Sequence, residues 1–347
     1  MTRLLNHRRS GALAMLLVLL SCKPSKPSAE GLVGKLRETI ASTTSYRARL
    51  EATTKPNPLA RPAPGAKVRS SAELAAVLPD KLLMKTKSTS PGPFGKPIQL
   101  DGTLSLDGTT AWIAMHMSGA PGGPVDNVLK LDQKRLAPAD KPYQIGFSVN
   151  GIGLRGGEDL LGSLQAYLAD YELEPQASEA LFAGEPAWRV DGSLKLEHLL
   201  RQLPRSDPAF FGSYASMLEP GALEEKQRQA ALDSMTLAAV QSIEGTLKVS
   251  LYFSRRDQRL VGWEQGSAKE TITEVVLESF EPGAAVPPET FAPAKGLAEG
   301  ARDGTPELLA LRLKADEVLA DHELVEQAIT RLKAAVETAV APAPAGR

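Results

Sequence analysis

Cys22 is the only cysteine in 347 residues, and it follows small Ser21 at the end of an apolar run from Ala12 to Leu20. Two other patterns could carry chemistry. Gly151-Ile152-Gly153-Leu154-Arg155-Gly156 fits the G-x-G-x-x-G spacing, after a strand-like Tyr143 to Val149 and before a helix, which is the setting a dinucleotide fingerprint needs. Glu158 and Asp159, however, fill the first turn of that helix. Their charges already complement the helix dipole and would repel a pyrophosphate, so the glycines read as a loop. His116, His198 and His322 are isolated, with no H-x-x-x-H or H-E-x-x-H spacing to assemble a metal site. No G-x-S-x-G elbow is present, and no serine lies in a nucleophile context. The expectation is a protein without catalytic residues, metal or cofactor, and not an enzyme.

The positions around Cys22 point elsewhere. A basic head with Arg3, Arg8 and Arg9 precedes the apolar run, which is too short for a bilayer core of ~30 Å that needs ~20 residues. Leu19-Leu20-Ser21-Cys22 resembles a lipobox, which implies that residues 1–21 are a signal peptide removed before Cys22 and that Cys22 is diacylated on sulfur and acylated on its new amine. Several acyl chains anchor a protein far more firmly than one. An acylated Cys22 leaves no thiol for a disulfide or a metal. Lys23 after the cysteine, in place of aspartate, is compatible with sorting to the outer membrane, facing the periplasm.

Charge narrows the partners. The segment before Cys22 takes three of the 40 basic residues and none of the 41 acidic ones, leaving 37 against 41, a net charge of about −4. That sign argues against nucleic acid or anionic lipid as the bound partner. Roughly 325 residues remain, enough for one large core or two smaller ones.

The elements follow from periodicity. Residues 22–29 read as a lipidated, Pro-containing tether. Glu30 to Thr44 places Leu32, Val33, Leu36 and Ile40 on one helical face, with Ser28 as cap. Tyr46, Ala48, Leu50 and Ala52 alternate with Arg47, Arg49, Glu51 and Thr53, the period of a half-buried strand. Leu100 to Leu106 and Ala111 to Met117 form a hairpin about Asp107-Gly108. Asp159 to Tyr171 is helical in period. Ala187 to Leu196, interrupted by Asp191-Gly192, reads as strand and turn. Ser206 to Leu218 and Ala222 to Ile243 are helical in composition, and Thr246 to Phe253, Leu260 to Gly266 and Glu270 to Phe280 are strands. Strands in hairpins with helices between them predict an α+β fold: an antiparallel sheet with helices on one face. A large sheet of this kind curls, and helices over its hollow side enclose an apolar interior.

Several segments carry a resemblance. The first helix with Ser45-Tyr46-Arg47-Ala48-Arg49-Leu50-Glu51-Ala52, the hairpin Leu106-Asp107-Gly108-Thr109-Thr110-Ala111-Trp112-Ile113, the strand Leu181 to Val190, and the closing Val249 to Phe253, Arg259 to Trp263, Ile272 to Phe280 and Phe291-Ala292-Pro293 are similar to the outer-membrane lipoprotein carrier and receptor superfamily (LolA/LolB-like). The resemblance covers most of residues 30–296. It implies an incomplete β-barrel closed by helices, whose hydrophobic cavity accepts acyl chains of lipoproteins or lipids. It also implies a lipid-anchored receptor acting in outer-membrane lipoprotein localisation. The lining expected for such a cavity is Leu247, Val249, Leu251 and Phe253 on one strand face, with Leu104, Leu106, Ile113 and Met115 facing the same space. The same residues could instead pack directly against the helices. Trp112, Trp188 and Trp263 suit either an entrance rim or core anchors.

After a linker, 297–304, the family pattern ends. Thr305 and Pro306 suit the start of a helix, and Leu308, Leu311, Ala315, Val318, His322, Val325, Ile329, Leu332 and Val336 repeat at alternating threes and fours, a heptad seam. Continuous over 305–340, the helix would be ~54 Å long at ~1.5 Å per residue. A break at Asp321, which can cap a second helix, would give a hairpin. This segment either folds back onto the body or serves a protein partner or self-association. In the second case the protein would act as a non-enzymatic envelope sensor. Residues 341–347 read as a disordered tail.

Overall fold

The structure, a computed structural model, describes residues 26–56, 65–92, 96–120, 122–136, 159–206, 208–219, 224–267, 270–293 and 297–341. Cys22, the segment before it, the Gly151 to Gly156 run and the tail 342–347 lie outside the described residues.

The alternation around Tyr46 becomes β1 (Ser45–Thr54), which buries Tyr46, Ala48, Leu50 and Ala52 and exposes Arg47, Arg49 and Glu51. It lies near the centre of one curled, unclosed 13-stranded sheet. On one side a meander runs outward: β2 (Val68–Val77), β3 (Lys81–Ser90), β4 (Ile98–Asp107), β5 (Thr110–Ser118) and β6 (Val125–Asp132). On the other side lie β12 (Thr271–Pro282), β11 (Leu260–Gly266), β10 (Lys248–Ser254), β9 (Glu185–Leu194) and β7 (Tyr171–Leu173), with β8 (Ser178–Phe182) pairing β9. All pairings are antiparallel except a two-residue β13 (Arg302–Asp303), which lies parallel to β6 at the edge.

Two helices fill the hollow side. Ser28 caps α1 (Ala29–Ser42) by accepting from the Gly31 amide at 3.0 Å, and Leu32, Val33 and Leu36 turn inward. Asp159 caps α2 (Leu160–Asp170) at the Leu161 and Gly162 amides, 2.7 and 3.3 Å away, and Leu160, Leu161, Leu164, Tyr167 and Leu168 join the same hydrophobic cluster. The Tyr46 hydroxyl ties sheet to helix. It accepts from the Leu160 amide at 2.9 Å and donates to Asp159 Oδ1 at 3.4 Å.

A second hydrophobic core is wholly helical. Between β9 and β10 the chain forms α3 (Leu196–Ser206), α4 (Pro208–Ser216) and α5 (Glu225–Glu244). The C-terminal segment is a hairpin of α6 (Thr305–Leu319) and α7 (His322–Val340), broken where Asp321 Oδ1 accepts from the Glu323 and Leu324 amides at 3.0 and 3.1 Å. Leu324, Ala328, Ile329, Leu332 and Val336 of α7 pack with Leu200, Phe211, Tyr214, Leu232, Val240 and Ile243. The seam's apolar face is therefore spent inside the molecule. Its register changes at the break, and His322 is exposed instead of facing the seam. Gly212 of α4 sits against Ala315 of α6, where an added Cβ would lie 3.0 Å from the Ala315 Cα, so the two backbones meet closely. α6 joins both cores: Leu308 and Leu309 pack on the sheet cluster, Val318 and Leu319 on the helical one.

Two other expectations are corrected. Asp191-Gly192 makes no turn, because β9 runs unbroken from Glu185 to Leu194. Gly192 marks a close approach instead: a Cβ there would meet Leu173 Cδ2 at 2.7 Å and Val249 Cγ1 at 3.0 Å. Leu247 precedes β10, does not share its alternation and packs against the helical core.

Candidate functional site

The inward side chains of the sheet form rows across strands, because antiparallel register places them opposite one another. Ala48, Leu74, Met84, Leu104, Ile113 and Leu129 make one such row over six strands. On the other wing Val190, Leu251, Trp263 and Val275 make another. Alanines at 48, 72, 76 and 111 keep the surface low between the larger residues.

Of the eight residues expected to line a cavity, Leu104, Ile113, Val249, Leu251 and Phe253 are buried in the sheet cluster, and Leu106 and Met115 are partly buried against it. Leu247 lies apart from them. Helices α1 and α2 belong to the same cluster, so much of this surface is covered by the chain itself. The cover ends toward the tips of β4 to β6. There Leu100, Met117 and Val125 align across the three strands; Leu100 and Met117 are only partly buried, and Val125 is 50% exposed. With Met115 they form an apolar surface that continues the buried rows outward.

Polar groups are set within the other wing. Gln265, buried on β11, donates through Nε2 to the Tyr171 hydroxyl and accepts from the Tyr167 hydroxyl, both at 3.2 Å. Tyr171 donates onward to the Thr246 carbonyl at 2.7 Å. Trp263, two residues before Gln265, is 1% exposed and its Nε1 has no partner among the described residues. The Ser163 hydroxyl on α2 is likewise buried and unpaired. The sequence held a signal for Gln265 in its period-two spacing from Trp263, which puts both on one face; its polarity argued against an inward position. Trp188 is buried, whereas Trp112 lies on the outer face, opposite Lys130, and is partly exposed.

The outer face of β9, β10 and β11 carries a cavity of about 420 Å³, lined by Arg189, Asp191, Lys248, Ser250 and Glu264 among others. Its walls satisfy one another: Arg189 Nε and the Ser250 hydroxyl donate to Asp191 Oδ1 at 2.7 and 2.5 Å. Of these lining residues, Glu264 accepts from the Tyr252 hydroxyl at 2.7 Å. Burial and the neighbouring Glu264 carboxylate hold that phenol above its ordinary range. Such a wall suits water or small polar solutes and has no affinity for hydrocarbon.

Among the described residues no three His, Cys, Asp or Glu side chains gather as a metal site would require. His116 pairs with Asp126 across exposed strands at 2.6 Å, and His198 lies 3.5 Å from Asp170. No described helix is long and apolar enough to cross a membrane.

No family model and no curated protein matches the chain. Among solved structures it is similar to MucB at 10% identity and a TM-score of 0.32, over 77% of this chain and 62% of that one. It is also similar to an outer membrane lipoprotein-sorting protein domain from Vibrio parahaemolyticus (9% identity, TM-score 0.25, 75% of this chain and 94% of that one). A DUF1329 family protein from Desulfovibrio piger stands at 7% identity and a TM-score of 0.25, over 75% and 94% of the two chains. The chain thus spans less than two thirds of MucB. Likenesses this distant say nothing of ligand or partner.

Proposed function

We propose that this protein holds acyl chains of lipids or lipoproteins on the hollow side of its sheet, without chemistry, while fixed to an envelope membrane through lipid on Cys22. The supporting observation is the apolar surface that emerges from under α1 and α2 and ends at Leu100, Met115, Met117 and Val125. An open apolar surface on a concave sheet is stabilised by an apolar occupant, and methionines adapt to a flexible chain. Each methylene removed from water contributes ~0.8 kcal/mol, so ten of them give about 8 kcal/mol before the cost of ordering the chain. The lipobox and the family resemblance of the sequence support a role as membrane-fixed receptor in outer-membrane lipoprotein localisation, facing the periplasm.

Native mass spectrometry of the full-length protein purified from bacterial membranes tests the reading. Co-purifying acyl species, or uptake of an added fatty acyl probe, is the expected result. A clean apo mass that takes up no probe overturns it.

A further inference from the structure

Among the described residues the indole N–H of Trp263 has no acceptor, and the side chain is 1% exposed. The ring lies between Leu251 and Val275 on the adjoining strands, and the Tyr167 ring of α2 stands 6.3 Å away, centroid to centroid. The nearby polar groups are turned toward each other: the Tyr167 hydroxyl is given to Gln265, and the Gln265 amide to Tyr171. A buried donor left unpaired is costly and uncommon in a native protein. An acceptor that arrives with a ligand removes that cost. Ser163, one helical turn before Tyr167 on the same buried face of α2, has a hydroxyl that is likewise unpaired among the described residues.

We infer that Trp263 donates its indole N–H to the carbonyl oxygen of a bound acyl ester or amide, and that this contact makes the site select acylated molecules over bare hydrocarbon. The inference rests on the acyl-binding reading above and adds to it the class of polar group that the chain must carry. A saturated hydrocarbon would bury the same methylenes yet leave the donor unpaired, whereas an ester carbonyl pairs it at no loss of apolar contact. The donor lies beside the Tyr167 ring of α2, at the seam between that helix and the sheet.

The test compares methyl palmitate with hexadecane in displacing N-phenyl-1-naphthylamine from the full-length protein, each affinity referred to the ligand's own transfer from water to alkane. The wild type is expected to favour the ester about tenfold, the worth of one net hydrogen bond. W263F keeps an aromatic ring and loses the donor, so its ratio of ester to alkane affinity should fall to about one. A wild type that holds ester and alkane equally, or a W263F protein that keeps the preference, overturns the inference. A wild type that binds neither overturns the acyl-binding reading itself. The carbonyl stretch of 13C-labelled methyl palmitate bound to wild type gives a readout independent of any variant: a shift to lower frequency than in hexane supports the contact, and an unshifted band refutes it.

Discussion

Tyr46 shows how one side chain couples the sheet to the helix that covers it. Its hydroxyl holds the Leu160 amide at the first turn of α2 and faces the Asp159 carboxylate. Burial first, and the Asp159 charge second, hold its phenol well above the ordinary range. An acid whose folded-state pKa is raised favours the folded state while it is protonated. The contribution is complete below the unfolded value of ~10 and is lost as pH rises past it. Urea midpoints measured from pH 8 to 11.5 should therefore fall above pH ~10, and Y46F should flatten that fall. At neutral pH, Y46F leaves the buried Leu160 amide without its partner and should cost about 1–3 kcal/mol. An alkaline slope identical in Y46F would assign it to other groups, with Tyr252, raised by burial and Glu264, the next to examine. Gly192 carries a steric prediction at the same scale. A valine there must displace Leu173 and Val249, so G192V should lose about 1–3 kcal/mol in urea unfolding.

At the scale of elements, Asp321 decides whether the C-terminal segment is one rod or two packed helices. Its carboxylate satisfies two amides that α7 would otherwise leave open. D321A should cost about 1 kcal/mol in urea unfolding, recovered in D321N or D321S, which also accept at a helix start. Alanine and asparagine giving equal stability would mean the break is imposed by packing and not by the cap. That cap was legible in the sequence, as were Ser28 and the alternation of β1, because each depends on residues adjacent in the chain; Asp159, read into the first turn of its helix, is its cap instead. β2 and β3 were not. Besides Val68, Leu74, Leu82 and Met84, their inward positions are Ser70, Ala72, Ala76, Thr86 and Ser88, small or hydroxylated side chains whose burial is supported by cross-strand neighbours, with Ser70 and Ser88 bonded to each other at 3.0 Å. Period-two hydropathy is faint where the interior is made of serine and threonine. The heptad seam failed at His322 for the opposite reason: the spacing continued through a break in the helix, and a periodic pattern cannot register that the axis has turned. For the candidate site, the sequence set helices over the hollow side but left cavity and direct packing open, and the structure puts seven of the eight residues in or against a cluster that includes α1 and α2.

At the scale of the molecule, the helices inserted between β9 and β10 and the C-terminal hairpin are two halves of one core. Residues 196–244 contribute Leu200, Phe211, Tyr214, Leu232, Val240 and Ile243, and α7 supplies the opposing Leu324, Ala328, Ile329, Leu332 and Val336. The hairpin is also attached to the sheet. The Thr305 hydroxyl, fully buried, accepts from the Asp132 amide at 2.9 Å, and β13 beside it pairs the edge of β6. Removing α6 and α7 would thus uncover a row of large apolar side chains and take the Thr305 hydroxyl away from the Asp132 amide at once, and a large exposed apolar patch drives association. A chain ending before Thr305 should bind 8-anilinonaphthalene-1-sulfonate strongly, elute as aggregates in size-exclusion chromatography and melt at lower temperature than the full chain. L332A probes the same core without truncation. Leu332 is fully buried, so its loss should cost about 2–5 kcal/mol. Because α6 packs in both cores, hydrogen exchange in L332A should quicken at β5 and β6 as well as in α7. Exchange that quickened in the helices while β5 and β6 kept their wild-type protection would show that the helical core unfolds by itself, with the sheet standing independent of the segment that crosses from one to the other.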